Sequence, residues 1–374
     1  MRSAITSLPL SPRKNAMLGY YSIPLMVDLL GKMCNQETIL ALNCLGCKAD
    51  QIAIEEFGSS AYFLGLRGQI WQDDNESNKT FVSSVLYQGL SDGWIKEEPR
   101  GIWRCGCGKT EVLDEPDNFT ALKSDRIYEI TNGKITCRAC SEHAENSTEQ
   151  VLLLCLPIDM KLPQVIPRYA ECEFSEQFNF FRGKSILISR KFGAGFKTRG
   201  FSKDFILDVD FCWMFYLAAL WKNGFSVDTV CTGHKTLKQA VLSTIASQLA
   251  GIKIPRFIVS LPYVNIDFAG KEIVSTGNIL SDYRPNVIRY FLGLVLGNRS
   301  KEVSLPSRLL YLIEHSIIIP DGVLKKPVEA ITPVEIWHGC NQQELIKISK
   351  KLRRGEFTSL SNMDKRVLWA ILSL

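Results

Sequence analysis

The chain lacks an apolar run long enough to cross a bilayer. Its longest, Phe211–Trp221, falls well short of the about 20 residues a spanning helix needs. It also lacks a secretory leader: MRSAITSLPLSPRK carries proline and charge where a leader needs an unbroken apolar core. Cytoplasmic localisation is the expectation, with no membrane partner. Long basic blocks are missing as well. The densest cluster, Lys347–Arg354, reads first as a solvated helix face. Internal repeats and low-complexity segments are absent, which excludes solenoids and disordered linkers.

What is present fits a globular protein of two or three domains: 374 residues, 46% hydrophobic and 22% charged. A net charge of +5 with a pI near 8.5 permits an RNA or nucleotide partner without demanding one. Twelve cysteines in a chain expected in the reducing cytosol point to metal binding or buried thiols rather than disulfides.

Two cysteine pairs stand out. WRCGCGKTE supplies Cys105 and Cys107, and KITCRACSEH supplies Cys137 and Cys140. Two short turns that each offer two thiolates can build a tetrahedral structural zinc site, and a β-rich segment this small needs such a staple. His143 is the lesser candidate ligand. A further pair, Cys44 and Cys47 in NCLGCK, has no matching second pair; it reads as small residues lining a pocket, with a redox motif as the alternative.

The chain opens strand (3–10), loop, helix (MLGYYSIPLMVDLLGKM), strand (37–45), a βαβ unit whose first loop meets a helix N-terminus. Residues 50–72 and 78–95 read as helices, the second with an Asn cap and a stop at Gly93. Residues 102–150 turn polar and cysteine-rich, as an inserted small domain would. Beyond the hard-to-read 151–185, strands are expected at 186–190, 205–209 and 256–261, and helices at 210–224 and 234–250. From Val287 onward the pattern is mostly helical. Alternating strands and helices on both sides of an insertion predict an open α/β sheet split by that insertion.

One family has these pieces in this order. TSLPLSP precedes MLGY; FGSSAYFLGLRGQIWQDDNESNKTFVSSVLYQGLSDGWI leads into the cysteine insert; ISRKFGAGF, CTGHKTLKQAVLSTIASQLAGIKIP and AGKEIVSTGNILSDYRPNVIRYFL follow. From Ile5 to Leu296 the chain resembles a class I aminoacyl-tRNA synthetase, closest to the methionyl type. The resemblance implies an α/β Rossmann-like parallel sheet, the class I catalytic core, with an inserted zinc-knuckle domain and a short α-helical C-terminal region. Its divisions are 1–100 for the first half of the catalytic domain, 101–150 for the insert, 151–296 for a connective segment and the second half, and 297–374 for the helical region. It also implies a nucleotide or aminoacyl small-molecule ligand, ATP with Mg as candidate cofactors beside structural zinc, and tRNA as a candidate partner. The helical remainder is short for anticodon reading.

The family's His-Ile-Gly-His signature falls on Met17, Leu18, Gly19 and Tyr20. Gly19 is kept and would let adenine lie against the backbone. Both histidines, which stabilise charge on the triphosphate, are gone. Lys-Met-Ser-Lys-Ser falls on Lys271, Glu272, Ile273, Val274 and Ser275, followed by Thr276, Gly277 and Asn278. The first lysine survives and the second is valine. Gly-Lys-Asp falls on Gly233, His234 and Lys235, so the acid is lost and two groups able to meet an anion take its place. On the resemblance, the candidate catalytic residues are Lys271, Ser275, Tyr20 and His234. The candidate cofactor-binding residues are Pro9, Gly19, Gly233, Lys235, Gly277 and Asn278. Trp213 and Tyr216 read as core, with a ligand wall as the alternative.

Three functions are open at this level: ATP-driven activation of an amino acid or related carboxylate in a remodelled site, ATP-independent transfer of an aminoacyl group, and a non-catalytic scaffold binding RNA, nucleotide or a partner protein. The changes concentrate in the signatures while the core patterning is intact, which favours an enzyme with altered chemistry.

Overall fold

A computed structural model of the protein describes residues 1–47, 50–107, 110–112, 128–131, 134–190, 195–198, 200–208, 213–267, 276–295, 297–315, 330–339 and 342–372. Its centre is a six-stranded sheet in the spatial order Gln69–Gln72, Glu37–Leu42, Arg2–Ser7, Phe225–Gly233, Phe257–Leu261, Gln164–Ile166. Every pairing in it is parallel. Such sheets need cover on both faces, so their strands are apolar throughout. Phe257–Leu261 is buried at all five positions, and Phe225–Gly233 at most of its nine.

The cover comes from two helical layers. On one face, helix Ser22–Cys34 packs with Pro285–Gly293 and the C-terminal helices through Val27, Leu29, Phe291, Trp337 and Leu368. On the other, helices Arg168–Phe181 and Leu237–Leu249 meet through Phe174, Phe178, Val241 and Ile245. The sequence explains the helices locally. Ala170, Phe174, Phe178 and Phe181 recur at helical spacing on the buried face of the first. Pro285 opens its helix at a position where no amide donor is required.

The insert is antiparallel. Ile95–Arg104 pairs along its whole length with Glu145–Cys155, which carries Ser185–Leu187 on its other edge. Tyr128–Thr131 and Lys134–Cys137 pair antiparallel in a small two-stranded sheet.

Three readings of the sequence need correction. Residues 50–72 are not one helix: Gln51–Phe63 is helical, the chain turns at Gly65 with φ +62°, and Gln69–Gln72 is the edge strand of the main sheet. That strand is exposed or half-buried at every position, so it carries no alternating signal. The next helix starts earlier than residue 78, at Glu76; the Asn75 side chain accepts from the Asn78 N–H, and the helix stops at Gly93 with φ +81° as expected. Finally, residues 225–233, unassigned between two expected helices, form the central strand Phe225–Gly233; the region after Val287 is mostly helical as expected and also holds a strand, Glu302–Pro306, which pairs in parallel with Tyr263–Asp267. Among the described residues no helix is long and apolar enough to cross a membrane.

Candidate functional site

The two halves of the sheet diverge between neighbouring strands Arg2–Ser7 and Phe225–Gly233. The chain leaves the first through helix Ser22–Cys34 toward Glu37–Leu42, and leaves the second through Leu237–Leu249 toward Phe257–Leu261. Ligands of open α/β sheets bind outside the carboxyl ends of the strands at such a divergence, because the departing loops leave a crevice there. Ser7 and Gly233 mark it.

Most of the sequence-selected residues that can be described gather at this end. Pro9 follows the first strand directly, between Leu8, whose N–H donates to the Cys231 carbonyl (2.7 Å), and Leu10, whose N–H donates to that of Ala41 (2.9 Å). Leu18–Tyr21 forms a single 3-10 turn leading into helix Ser22–Cys34. Gly19 stands so close to strand Tyr263–Asp267 that a Cβ would lie 2.8 Å from the Val264 carbonyl oxygen. Tyr20 donates its hydroxyl to the Ser11 carbonyl (3.1 Å), closing the intervening loop on itself. At Gly233 a Cβ would come 3.4 Å from Ile23 Cδ1, so this position abuts the start of the same helix. Lys235 lies over the Tyr263 ring with its ammonium 3.6 Å from the centroid, a cation–π contact. Lys271 and Ser275 lie outside the described residues. Gly277 and Asn278 fall in the first turn of helix Thr276–Asp282.

His234 has a partner that the sequence did not suggest. Its Nδ1 is 3.5 Å from Glu173 Oε2, and the same carboxylate oxygen is 3.2 Å from Lys301 Nζ. Tyr169, one helical turn before Glu173, meets the His234 ring edge-on at 5.8 Å. Burial, reinforced by the Glu173 charge, pushes the Tyr169 phenol up to about 12. No signal in the helix RYAECEFSEQFNFF marks Tyr169 or Glu173 as functional; both occupy its less buried side.

The cysteine reading from spacing is matched by geometry. Cys105 and Cys107 leave the end of strand Ile95–Arg104, while Cys137 and Cys140 flank the turn that ends Lys134–Cys137. That turn is set by backbone bonds from Ser141 N–H to the Cys137 carbonyl (2.7 Å) and from Cys137 N–H to the Glu142 carbonyl (2.9 Å). All four sulfurs lie within 4.8 Å of one another. Separations of 3.7 Å for Cys107–Cys137 and 3.6 Å for Cys105–Cys140 match the about 3.8 Å edge of a zinc–thiolate tetrahedron. Cys105–Cys107, at 2.6 Å, is drawn in tighter. Burial resists ionisation of Cys105, yet hydrogen bonds from Cys107, Cys137 and Cys140 outweigh it and bring its thiol down to about 6. Four thiolates with no other ligand type fit a structural zinc, which would knit the two turns together. His143 is not in the cluster; it sits exposed in a bridge to Thr136.

Cys44 is buried at the start of a single helical turn, Cys44–Cys47, whose N–H groups at Cys44 and Leu45 donate to Asp73 at 2.7 and 3.0 Å. Tyr216 is core, with 1% of its surface exposed. The basic residues Lys350, Lys351 and Arg353 occupy the last turn of helix Gln342–Arg353, where positive charge complements the helix dipole.

No protein-family model and no curated protein sequence matches the chain. Solved structures do. Two structures of Mycobacterium tuberculosis methionyl-tRNA synthetase with methionyl-adenylate superpose with TM-scores of 0.66 at 12% and 13% identity, covering 99% and 100% of this chain and 88% of theirs. The ligand-free form of that enzyme superposes with a TM-score of 0.61 at 13% identity, covering 99% of this chain and 86% of its own. At such low identity the likeness is one of fold: this chain has the class I fold of a methionyl-tRNA synthetase, with a four-cysteine cluster in its insert.

Proposed function

We propose that the protein binds an aminoacyl ligand carried on a nucleotide or nucleoside in the crevice at Ser7 and Gly233 and transfers the aminoacyl group to a nucleophile without first activating an amino acid with ATP. The observation that carries this is the exchange of charge chemistry at one place. Adenylate formation needs cations aimed at a triphosphate. Here Met17 and Tyr20 stand in the positions of the two signature histidines, and Val274 in that of the second lysine. Lys14 is engaged with Asp50 at 2.7 Å and Lys235 with the Tyr263 ring. What the crevice has instead is an imidazole, His234, beside a carboxylate. The fold likeness to a synthetase holding methionyl-adenylate supports the ligand class.

ATP-driven activation is the second reading, and the surviving Lys271 and the Gly277-Asn278 pair favour it. Calorimetry on zinc-loaded protein separates the two. The proposal expects micromolar binding of non-hydrolysable aminoacyl-adenylate analogues for at least one amino acid, and no ATP–pyrophosphate exchange. Micromolar ATP binding that weakens in Lys271→Ala would overturn it in favour of activation. Failure of both ligands leaves the non-catalytic scaffold.

A further inference from the structure

Resting on the acyl-transfer reading, we propose that His234 is the proton acceptor of the crevice and that Glu173 is its positioning residue. Glu173 Oε2, His234 Nδ1, the Tyr169 hydroxyl and Ser260 Oγ are buried polar atoms without an aligned hydrogen-bond partner, although Glu173 Oε2 lies 3.2 Å from Lys301 Nζ and Tyr169 interacts with Ser260. They come from three elements: helix Arg168–Phe181, the turn His234–Thr236, and strand Phe257–Leu261. Ser260 is paired in register with Thr232, two residues before His234. Buried polar atoms are normally satisfied, since an orphan loses its water without gaining a partner. Here Glu173 Oε2 and His234 Nδ1 face each other at the carboxyl end of strand Phe225–Gly233, a pair whose bonding is incomplete as it stands.

The pair also has the geometry of an oriented base. At 3.5 Å, Nδ1 and the Glu173 carboxylate are at contact but not aligned, a looseness usual before the reactant is bound. Closing that gap makes Nδ1–H the donor to Glu173 and leaves the Nε2 lone pair open. Among the described residues Nε2 has no hydrogen-bond partner. The groups facing the pair are the Lys301 ammonium, which shares Glu173 Oε2 with the imidazole, and the neutral phenol of Tyr169. Lys301 adds a positive charge 3.2 Å from the oxygen that meets the imidazole.

The step this supports is balanced. An amine or hydroxyl attacks the carbonyl carbon of a ribose aminoacyl ester and yields its proton to Nε2 as the new bond to carbon forms. The ester carbon–oxygen bond then breaks, and the imidazolium returns that proton to the departing ribose oxygen. No oxidant, reductant or metal enters.

The test reads the imidazole itself. With four histidines in the chain, nitrogen-15 NMR of the full-length zinc-loaded protein can be assigned with one His234→Gln variant. The proposal expects His234 as the Nδ1–H tautomer, the minor form of free imidazole. It also expects Nε2 to react with diethyl pyrocarbonate faster than the exposed His143 does. Glu173→Leu should return the tautomer to Nε2–H and slow that reaction by roughly tenfold, and Glu173→Asp should restore most of it. An Nε2–H tautomer of His234 in the unmodified protein overturns the pair. A Glu173→Leu protein with unchanged tautomer and reactivity overturns the role of Glu173. If the tautomer is as expected but neither a 3′-aminoacylamino-adenosine, the amide analogue of the ribose ester, nor an aminoacyl-adenylate analogue binds, the acyl-transfer reading is what fails.

Discussion

Gly19 is pressed against Val264: a Cβ at residue 19 would stand 2.8 Å from the Val264 carbonyl oxygen and 3.3 Å from its Cβ. This contact joins the turn after the first strand to the strand that leads into residues 268–275. It is a backbone-to-backbone approach that only glycine permits.

Gly19→Ala therefore has to push the two segments apart. We expect a loss of about 1–3 kcal/mol in urea unfolding, as for other overpacked sites, and weaker binding of aminoacyl-adenylate analogues with zinc content unchanged. Wild-type stability and affinity in the variant would show that the approach is dispensable.

Arg289 is fully buried and bound on all sides. It pairs with Asp28 at 2.7 Å and donates to the carbonyls of Leu64 (2.9 Å), Ala370 (2.9 Å) and Ile371. The last two cap the end of helix Asn362–Leu372. Arg289→Met keeps the volume and strands those carbonyls and the carboxylate, although Lys32 still holds Asp28 at 3.0 Å. A loss of about 3–5 kcal/mol is expected. Hydrogen exchange should rise first in Asn362–Leu372; uniform exchange along the chain would place the damage elsewhere.

Zinc should be present at one ion per chain by elemental analysis. Cys137→Ser should lower that content, and a strong chelator should expose the insert to protease while the main sheet stays folded. Because thiolates are the ligands, affinity should fall as pH is lowered. A metal-free protein with an equally protease-resistant insert would remove the stapling role.

Asp73 gives a pH signature. Burial drives its carboxyl up to about 6, against the opposing N–H bonds from Leu45 and Cys44. The folded state thus binds this proton more tightly than the unfolded chain. Its contribution is fully present below the unfolded pKa near 3.8 and lost as pH rises through about 6. Asp73→Asn should remove that loss while keeping an acceptor for both N–H groups. The variant should gain on the wild type between pH 4 and 6.5, by at most about 3 kcal/mol. A stability difference that stays flat over that window contradicts the shift.

How much of this was readable beforehand depends on whether the cause is local. The cysteine pairs were legible because each turn supplies two ligands within a few residues. So were the Gly93 stop and the strands Arg2–Ser7, Glu37–Leu42 and Phe257–Leu261, each rich in apolar residues; the central strand Phe225–Gly233, lying between two expected helices, was not. The edge strand Gln69–Gln72 and the strand Glu302–Pro306 were missed. Each owes its form to a distant partner strand, and neither has two fully buried faces to advertise it.

The candidate site divides the same way. Sequence alone determined that four thiols can share a metal, a fact of residue type and short spacing; the altered signatures and the kept Gly19 and Gly233 were read only through the family resemblance. Only the tertiary structure decided that Glu173 meets His234 and that Arg289 finds Asp28, 261 residues away in the chain. A charged side chain on a half-polar helix looks the same whether it faces water or a crevice; the packing of helix Arg168–Phe181 against the sheet made the difference.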